Sequence, residues 1–267
     1  VYHMEAGNRC FDLNVPEETN RRLVDHVSDF NLVYTEHARR NLLAEGLHPR
    51  RILLTGSPMR EVLDYYRPLI ASSTVLDRLG LRPGEYFVVS AHREENVDDA
   101  GRLQRLLECL RAVRDAWGLP VLVSTHPRTR KRLESLSPDP STLDGIAFHE
   151  PFGLPDYVHL QWHARCTLSD SGTISEEAAI MGFAAVTLRE SIERPEALDA
   201  GSIIMTGLEP EGVVEAVDVA IRQAPPPCPP EYQIPDTSQR VVNFILSTVR
   251  RHHEWAGIRP MTGVSTP

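Results

Sequence analysis

Short β-rich runs alternate with amphipathic helical stretches along almost the whole chain, and this alternation constrains the fold more than any single motif. Strands are predicted at 1–4, 31–35, 52–55, 86–90, 121–125, 146–149, 166–169, 184–188 and 203–206. Helical patterns over 18–28, 37–45, 103–116, 129–136 and 212–222 lie between them. A helix inserted between successive strands makes each connection a crossover, which joins parallel strands and covers the sheet faces. The pattern predicts a doubly wound α/β protein. Gly46 is placed as the stop of one helix, and Pro16 and Pro195 suit first helical turns.

Two seams interrupt the alternation. One lies at 66–73, ahead of a short helix at 74–79; the other is "APPPCPP" at 224–230, a proline cluster that fits neither helix nor strand interior. They predict a first domain at 1–70, a second at 71–224, and a linker, final helix (237–252) and frayed tail (256–267) within 225–267. Three strands precede the first seam and six lie between the seams, so the front domain reads as cut short. The opening "VYHM" reads as a strand already under way, which predicts a further segment ahead of it.

The bulk numbers mainly exclude. Hydrophobic residues make up 41% and charged residues 24%, an ordinary globular composition. No apolar run approaches the ~20 residues of a membrane span. A net charge of −9 opposes nucleic-acid binding, and any anion must be held locally against that field. The four cysteines are far apart, with neither a CxxC pair nor histidines at zinc spacing, so neither a metal site nor a disulfide framework is predicted. The simplest compartment is the cytoplasm.

In parallel α/β folds, ligands gather where strand C-termini meet helix N-termini. Several polar clusters fall at such junctions. "SDSGTISEEA" (169–178) is the strongest: Ser171 and Gly172 present a hydroxyl and bare N–H groups where a helix begins, a setting suited to phosphate. Thr173 and Glu176 match the S/T-x-x-E capping box, which gives Glu176 a structural task. Glu177 then faces another side of the helix, free to accept hydrogen bonds from ribose hydroxyls. "ERPEA" adds Arg194 before another helix start, as a second phosphate contact.

"AHREEN" places His92 and Arg93 at a strand end; either could hold a phosphate, or Glu94 and Glu95 could simply pair with Arg93 in a surface turn. "THPRTRKRL" puts His126 at the junction, with the basic run behind it reading as a solvated helix face. Near the start, Glu5 follows a strand between apolar Met4 and the pair Ala6-Gly7, which predicts partial burial and a pKa raised toward acid/base use. Glu17 and Glu18 read first as compensation of a helix dipole. No P-loop and no complete GxGxxG occur. Read from its residues alone, the chain is a cytosolic α/β protein for a phosphorylated, ribose-containing ligand.

The order of these motifs resembles the non-hydrolysing UDP-N-acetylglucosamine 2-epimerases: "HMEAGNR", "PEETNRR", "TGSPM", "AHREEN", "LSDSGTISEEA" and "ERPEA" follow the family sequence across nearly the whole chain. The wording is similar to the surface-polysaccharide branch that makes UDP-N-acetyl-L-fucosamine. The resemblance implies two Rossmann-like domains of glycosyltransferase-B type, the first truncated. It further implies a last helix returning to the first domain, a homodimer, and neither cofactor nor metal.

By position, Glu5 and Glu17 match catalytic acids, His92 the histidine beside the diphosphate, and Ser171 and Gly172 its main contacts. Glu177 matches the ribose ligand, and Tyr157 the aromatic packed on uracil. The sequence departs from the family at Glu94, where a second arginine is usual, and at "THPRT", where an HxNP element serves allostery in some members. The family's opening strands and a further catalytic aspartate have no counterpart, which predicts weak UDP binding and little turnover. Two other readings stand beside this one: a UDP-sugar glycosyltransferase of the same architecture, and a non-catalytic UDP-binding remnant.

Overall fold

Apolar runs such as "FVVS", "VLVS" and "CTLS" are buried along their length, as strands covered on both faces must be. The computed structural model describes residues 1–136, 144–225, 228–255 and 257, so the frayed tail expected at 256–267 lies, but for Gly257, outside the described residues. The chain divides into two units: Val1–Glu61 with Pro230–Pro267, and Val62–Pro229.

The second unit holds six strands: β4 (Phe87–Ser90), β5 (Val121–Ser124), β6 (Ile146–His149), β7 (Cys166–Ser169), β8 (Ala185–Thr187) and β9 (Ile204–Met205). All pairings are parallel, in the order β6-β5-β4-β7-β8-β9. Connections run outward one way from β4 and the other way from β7. The strand order therefore reverses between β4 and β7, where an open α/β sheet leaves a crevice beyond its strand C-termini.

The period of two decides which side chains meet which helices. Phe87, Val89, Cys166, Leu168 and Val186 pack with Leu103, Leu106, Leu110 and Val113 of α6 (Ala100–Trp117) and Val213 and Val217 of α11 (Pro210–Arg222). On the opposite face, Val88 and Leu122 meet Val75 of α4 (Val75–Leu79) and Leu160 of α8 (Leu154–His163). Ala185 there meets Ile174 and Ala178 of α9 (Ile174–Met181). The result is helix, sheet, helix, the doubly wound arrangement expected.

The first unit has a three-stranded parallel sheet in the order β1 (Tyr2–Met4), β2 (Phe30–Val33), β3 (Ile52–Leu54). Ala38 and Leu42 of α2 (Glu36–Ala44) cover one face with Val33 and Ile52. Helix α12 (Thr237–Thr248) also belongs to this unit: Phe244 meets Phe30 edge-on at 5.3 Å, and the Tyr2 hydroxyl bonds Thr248 Oγ1 at 2.7 Å. Gly46 lies just past α2 at φ +88°, and α1 (Pro16–Val27) starts on its proline, both as anticipated.

The pause expected at 66–73 is mostly helix. α3 (Met59–Ala71) runs through it with Pro68 inside, because Leu63 and Ile70, seven residues apart, bury one face. Tertiary burial outweighs the proline. Among the described residues no helix is long and apolar enough to cross a membrane.

Candidate functional site

The loops leaving β4 and β7 are tied together by one carboxylate. Asp170 follows β7 directly and is fully buried. It accepts from the main-chain N–H of His92 at 3.0 Å, that of Arg93 at 3.0 Å, and the Asn96 amide at 3.1 Å. Arg93 returns the contact, donating from Nε to the Asp170 carbonyl at 3.1 Å. An ionised carboxylate accepting several N–H bonds is strongly held, so both edges of the switch point are fixed relative to each other. Asp170 and Asn96 were not singled out from the sequence. The available signal was an aspartate between an apolar strand and Ser-Gly.

Ser171, Gly172 and Thr173 follow at the head of α9, all partly exposed. The Ser171 N–H donates to Ser169 Oγ at 3.0 Å, and the Ser171 and Thr173 hydroxyls lie 3.0 Å apart. The first N–H groups of a helix lack intrahelical acceptors and carry its positive dipole end. Arg194, at the start of α10 (Pro195–Asp199), lies against this loop: a methyl added at Gly172 would come 2.5 Å from Arg194 Nη1. A side chain at this position would require the Arg194 guanidinium to shift.

The expected capping box does not form. Thr173 has helical φ and ψ of −71° and −16° and makes no side-chain cap bond. Glu176 instead accepts from Arg194 Nε at 2.9 Å, both side chains being buried. The guanidinium is a stronger partner for a buried carboxylate than a backbone N–H. Glu176 thereby orients the cation that packs on Gly172.

Glu177 is 7% exposed and accepts from Gln161 Nε2 of α8 at 2.7 Å. Burial pushes its pKa up, and hydrogen bonds from Gln161 and Thr173 partly oppose the shift. Tyr157, half-buried on the same helix, packs in the Val88 and Leu160 cluster, and its hydroxyl bonds Ser90 at the end of β4. The His92 and His126 rings stand 5.9 Å apart, so the structure brings those two histidines together. Arg93 also lies 3.5 Å from Glu193, itself bound to Arg189 at 2.5 Å. The basic run on α7 (Pro127–Leu136) is engaged in surface pairs, such as Arg132 with Asp98 at 3.3 Å.

The remaining two candidates, Glu5 and Glu17, belong to the first unit. Glu5 leaves β1 at φ +60°, a left-handed conformation that disfavours a residue with a Cβ. The turn is pinned from outside: Asp25, fully buried, accepts the Gly7 N–H at 3.2 Å, and Asn41 donates to the Gly7 carbonyl at 3.0 Å. Asp25 also holds His3 at 2.8 Å and Arg9 at 2.7 Å. The partial burial expected of Glu5 is met: its side chain is 37% exposed and lies 3.5 Å from Arg21, with the Asn8 amide donating to it at 3.3 Å. Glu17 is exposed in the first turn of α1, whereas Glu18 beside it is fully buried on the Cys10 N–H and Arg22. Among the described residues no cluster of three metal-ligating side chains occurs.

These features, a 3-2-1-4-5-6 type strand order with an anion-suited loop at the reversal, match a known group. The family model described as UDP-N-acetylglucosamine 2-epimerase matches residues 1–246. The chain belongs to the UDP-N-acetylglucosamine 2-epimerase family. It is 34% identical to the UDP-N-acetylglucosamine 2-epimerase of Methanocaldococcus jannaschii over 235 residues, which cover 84% of this chain and 62% of that protein. The chain thus spans less than two-thirds of that relative's length.

The structure of the UDP-N-acetylglucosamine 2-epimerase from Rickettsia bellii superposes with a TM-score of 0.88 at 42% identity, covering 97% of this chain and 70% of that one. The M. jannaschii enzyme in complex with UDP-GlcNAc and UDP gives 0.86 at 31% identity, covering 92% and 70%. The α/β fold with parallel sheets is that of the glycosyltransferase-B-like epimerases.

Proposed function

We propose that this chain binds a UDP-activated N-acetyl amino sugar and serves inversion at its carbon 2 for surface-polysaccharide precursors, on an L-series sugar of the fucosamine type. The observation that carries the reading is the reversal between β4 and β7, where Asp170 joins both loops and Ser171–Gly172 lies under Arg194. The diphosphate takes the Ser171 hydroxyl and the N–H groups of Gly172 and Thr173, with Arg93 and Arg194 supplying local positive charge and His92 and His126 ring N–H donors. Glu177 accepts from the ribose, and the Tyr157 ring supports the base. The bound M. jannaschii relative supports a UDP-sugar as ligand.

The chemistry explains why the diphosphate is held so firmly. The hydrogen on carbon 2 is not next to a carbonyl, so its removal leaves no stabilised carbanion. Elimination of UDP gives a glycal instead, and re-addition of UDP with a proton delivered to the opposite face completes the inversion. That route needs stabilisation of departing diphosphate and acid/base groups for carbon 2. Glu5, on its strained turn, and Glu17, exposed on the first turn of α1, take the proton-transfer roles.

This chain covers 62% of the M. jannaschii relative and 70% of the R. bellii chain. Alone, the chain therefore binds UDP weakly and turns over slowly; the complete enzyme forms a homodimer.

The test is calorimetry of the chain with UDP, followed by incubation with UDP-GlcNAc and UDP-N-acetyl-L-fucosamine in deuterium oxide. The reading predicts heat with UDP and slow deuterium entry at carbon 2 of the L-sugar. Absence of UDP binding contradicts it, and faster exchange on the D-sugar overturns the L-series assignment.

A further inference from the structure

Helix α8 sends two side chains from one face toward the switch point. Tyr157 and Gln161 are four residues apart, one helical turn, and so lie above one another. The Tyr157 hydroxyl bonds Ser90, the last residue of β4, and also reaches Gln161. Gln161 is 1% exposed and donates to Glu177 Oε2 at 2.7 Å. A continuous chain, Ser90–Tyr157–Gln161–Glu177, therefore runs from the end of β4 to the first turns of α9.

A packing role alone does not account for this chain. Two helices can be joined by apolar side chains at lower cost than by a buried carboxylate, whose desolvation must be offset by good partners. Here the amide is committed through its donor end only. Gln161 Oε1 has no hydrogen-bond partner among the described residues, a cost accepted while Nε2 is directed at Glu177. Asp170 and Glu176 each have a fixed N–H or guanidinium partner for the loop geometry. Glu177 is instead aimed by neutral groups, Gln161 and Thr173, which leave its carboxylate able to accept from a further donor.

We infer that Gln161 is the positioning residue for sugar recognition: by holding Glu177 Oε2 it sets the carboxylate to accept from ribose hydroxyls, and so fixes the preference for a ribonucleotide. The inference rests on the nucleotide reading given under Proposed function. Gln161 itself does not touch the ligand. Its removal leaves the diphosphate contacts at Ser171 and Gly172 in place and lets Glu177 rotate.

The test compares three probes by calorimetry: UDP, 2′,3′-dideoxyuridine diphosphate and inorganic pyrophosphate. The wild-type chain is expected to prefer UDP over the dideoxy nucleotide by about tenfold, the size of one hydrogen bond to a charged group. Gln161→Met keeps the volume and removes the donor; it should reduce that preference to about twofold, with pyrophosphate affinity unchanged. Gln161→Asn, one methylene too short to reach, should do the same and serves if the methionine variant does not fold.

A folded variant that keeps the full tenfold preference overturns the inference, as does a wild-type chain that does not discriminate. The two readings fail differently. No heat with either UDP or pyrophosphate removes the nucleotide site and this inference with it, whereas normal UDP heat with unaltered discrimination in the variants removes the inference alone.

Discussion

Acidic side chains do different work in the two units. In Val62–Pro229 the buried acids Asp170, Glu176 and Glu193 hold, respectively, loop N–H groups, Arg194 and Arg189 around the reversal between β4 and β7. They fix the geometry on which an anion would rest. In Val1–Glu61 with Pro230–Pro267, the buried acids Asp25 and Glu18 instead support a turn and a helix start, while Glu5 and Glu17 stand partly or wholly exposed. The difference separates a loop scaffold built from paired buried charge from two acids left partly or wholly accessible, the ones to which the proposed function gives proton transfer. Burial and partners, rather than residue type, assign the roles.

The largest expected effect tests the scaffold. Asp170→Ala leaves two main-chain N–H groups and the Asn96 amide without their acceptor, which should cost about 3 kcal/mol or more in urea unfolding and abolish UDP heat. Asp25→Ala should cost a similar amount, about 3 kcal/mol, by leaving the buried Gly7 N–H without its acceptor and taking one carboxylate from Arg9, yet leave UDP affinity of the folded protein intact. Equal loss of UDP binding in both variants would erase the comparison.

Next comes Glu45, 19% exposed on its side chain and bonded to Arg9 at 2.8 Å. Arg9 holds the carboxylate down to about 2 against the opposing effect of burial, with His26 assisting. A folded pKa below the unfolded value means stability is present above about 4.5 and is lost as pH falls toward 2. Glu45→Gln should cost on the order of 2 kcal/mol at pH 7 and flatten the acid limb of melting temperature against pH. An unchanged acid limb would contradict the pairing.

Ser171→Ala should weaken UDP binding by about 1 to 2 kcal/mol with little change in melting temperature. Glu177→Gln should move the two readouts apart. Burial raises the Glu177 pKa above its unfolded value, so ionisation costs stability at pH 7, and the amide should melt higher while binding UDP less well. The smallest stability effect belongs to Glu5→Gln, within about 0.5 kcal/mol, since the side chain is partly exposed and its Arg21 contact is long at 3.5 Å. That variant should retain UDP and lose deuterium entry at carbon 2.

Much of this was legible in the sequence. Each strand was placed to within two residues because buried parallel strands read as plain apolar runs, and the Ser171–Gly172 loop announced itself by position after one of them. What escaped depends on tertiary contact. Pro68 was read as part of a break, yet burial of Leu63 and Ile70 carries α3 past it. The capping-box pattern at Thr173 and Glu176 was present in letters, but Arg194, eighteen residues on, outcompetes the local bond. Glu5 was placed as partly buried from its neighbours Met4 and Ala6, as it is, but neither its left-handed backbone nor its contact with Arg21 could be read from them. Gln161 and Asp25 act through partners sixteen or more residues away, which a linear pattern does not encode.

A crystal structure of this chain soaked with UDP tests the placement of the nucleotide most directly. The account predicts the diphosphate within about 3 Å of Ser171 Oγ and the Gly172 N–H, at the ends of β4 and β7. A diphosphate bound on another surface, with the loop from Asp170 to Thr173 unoccupied, would contradict it.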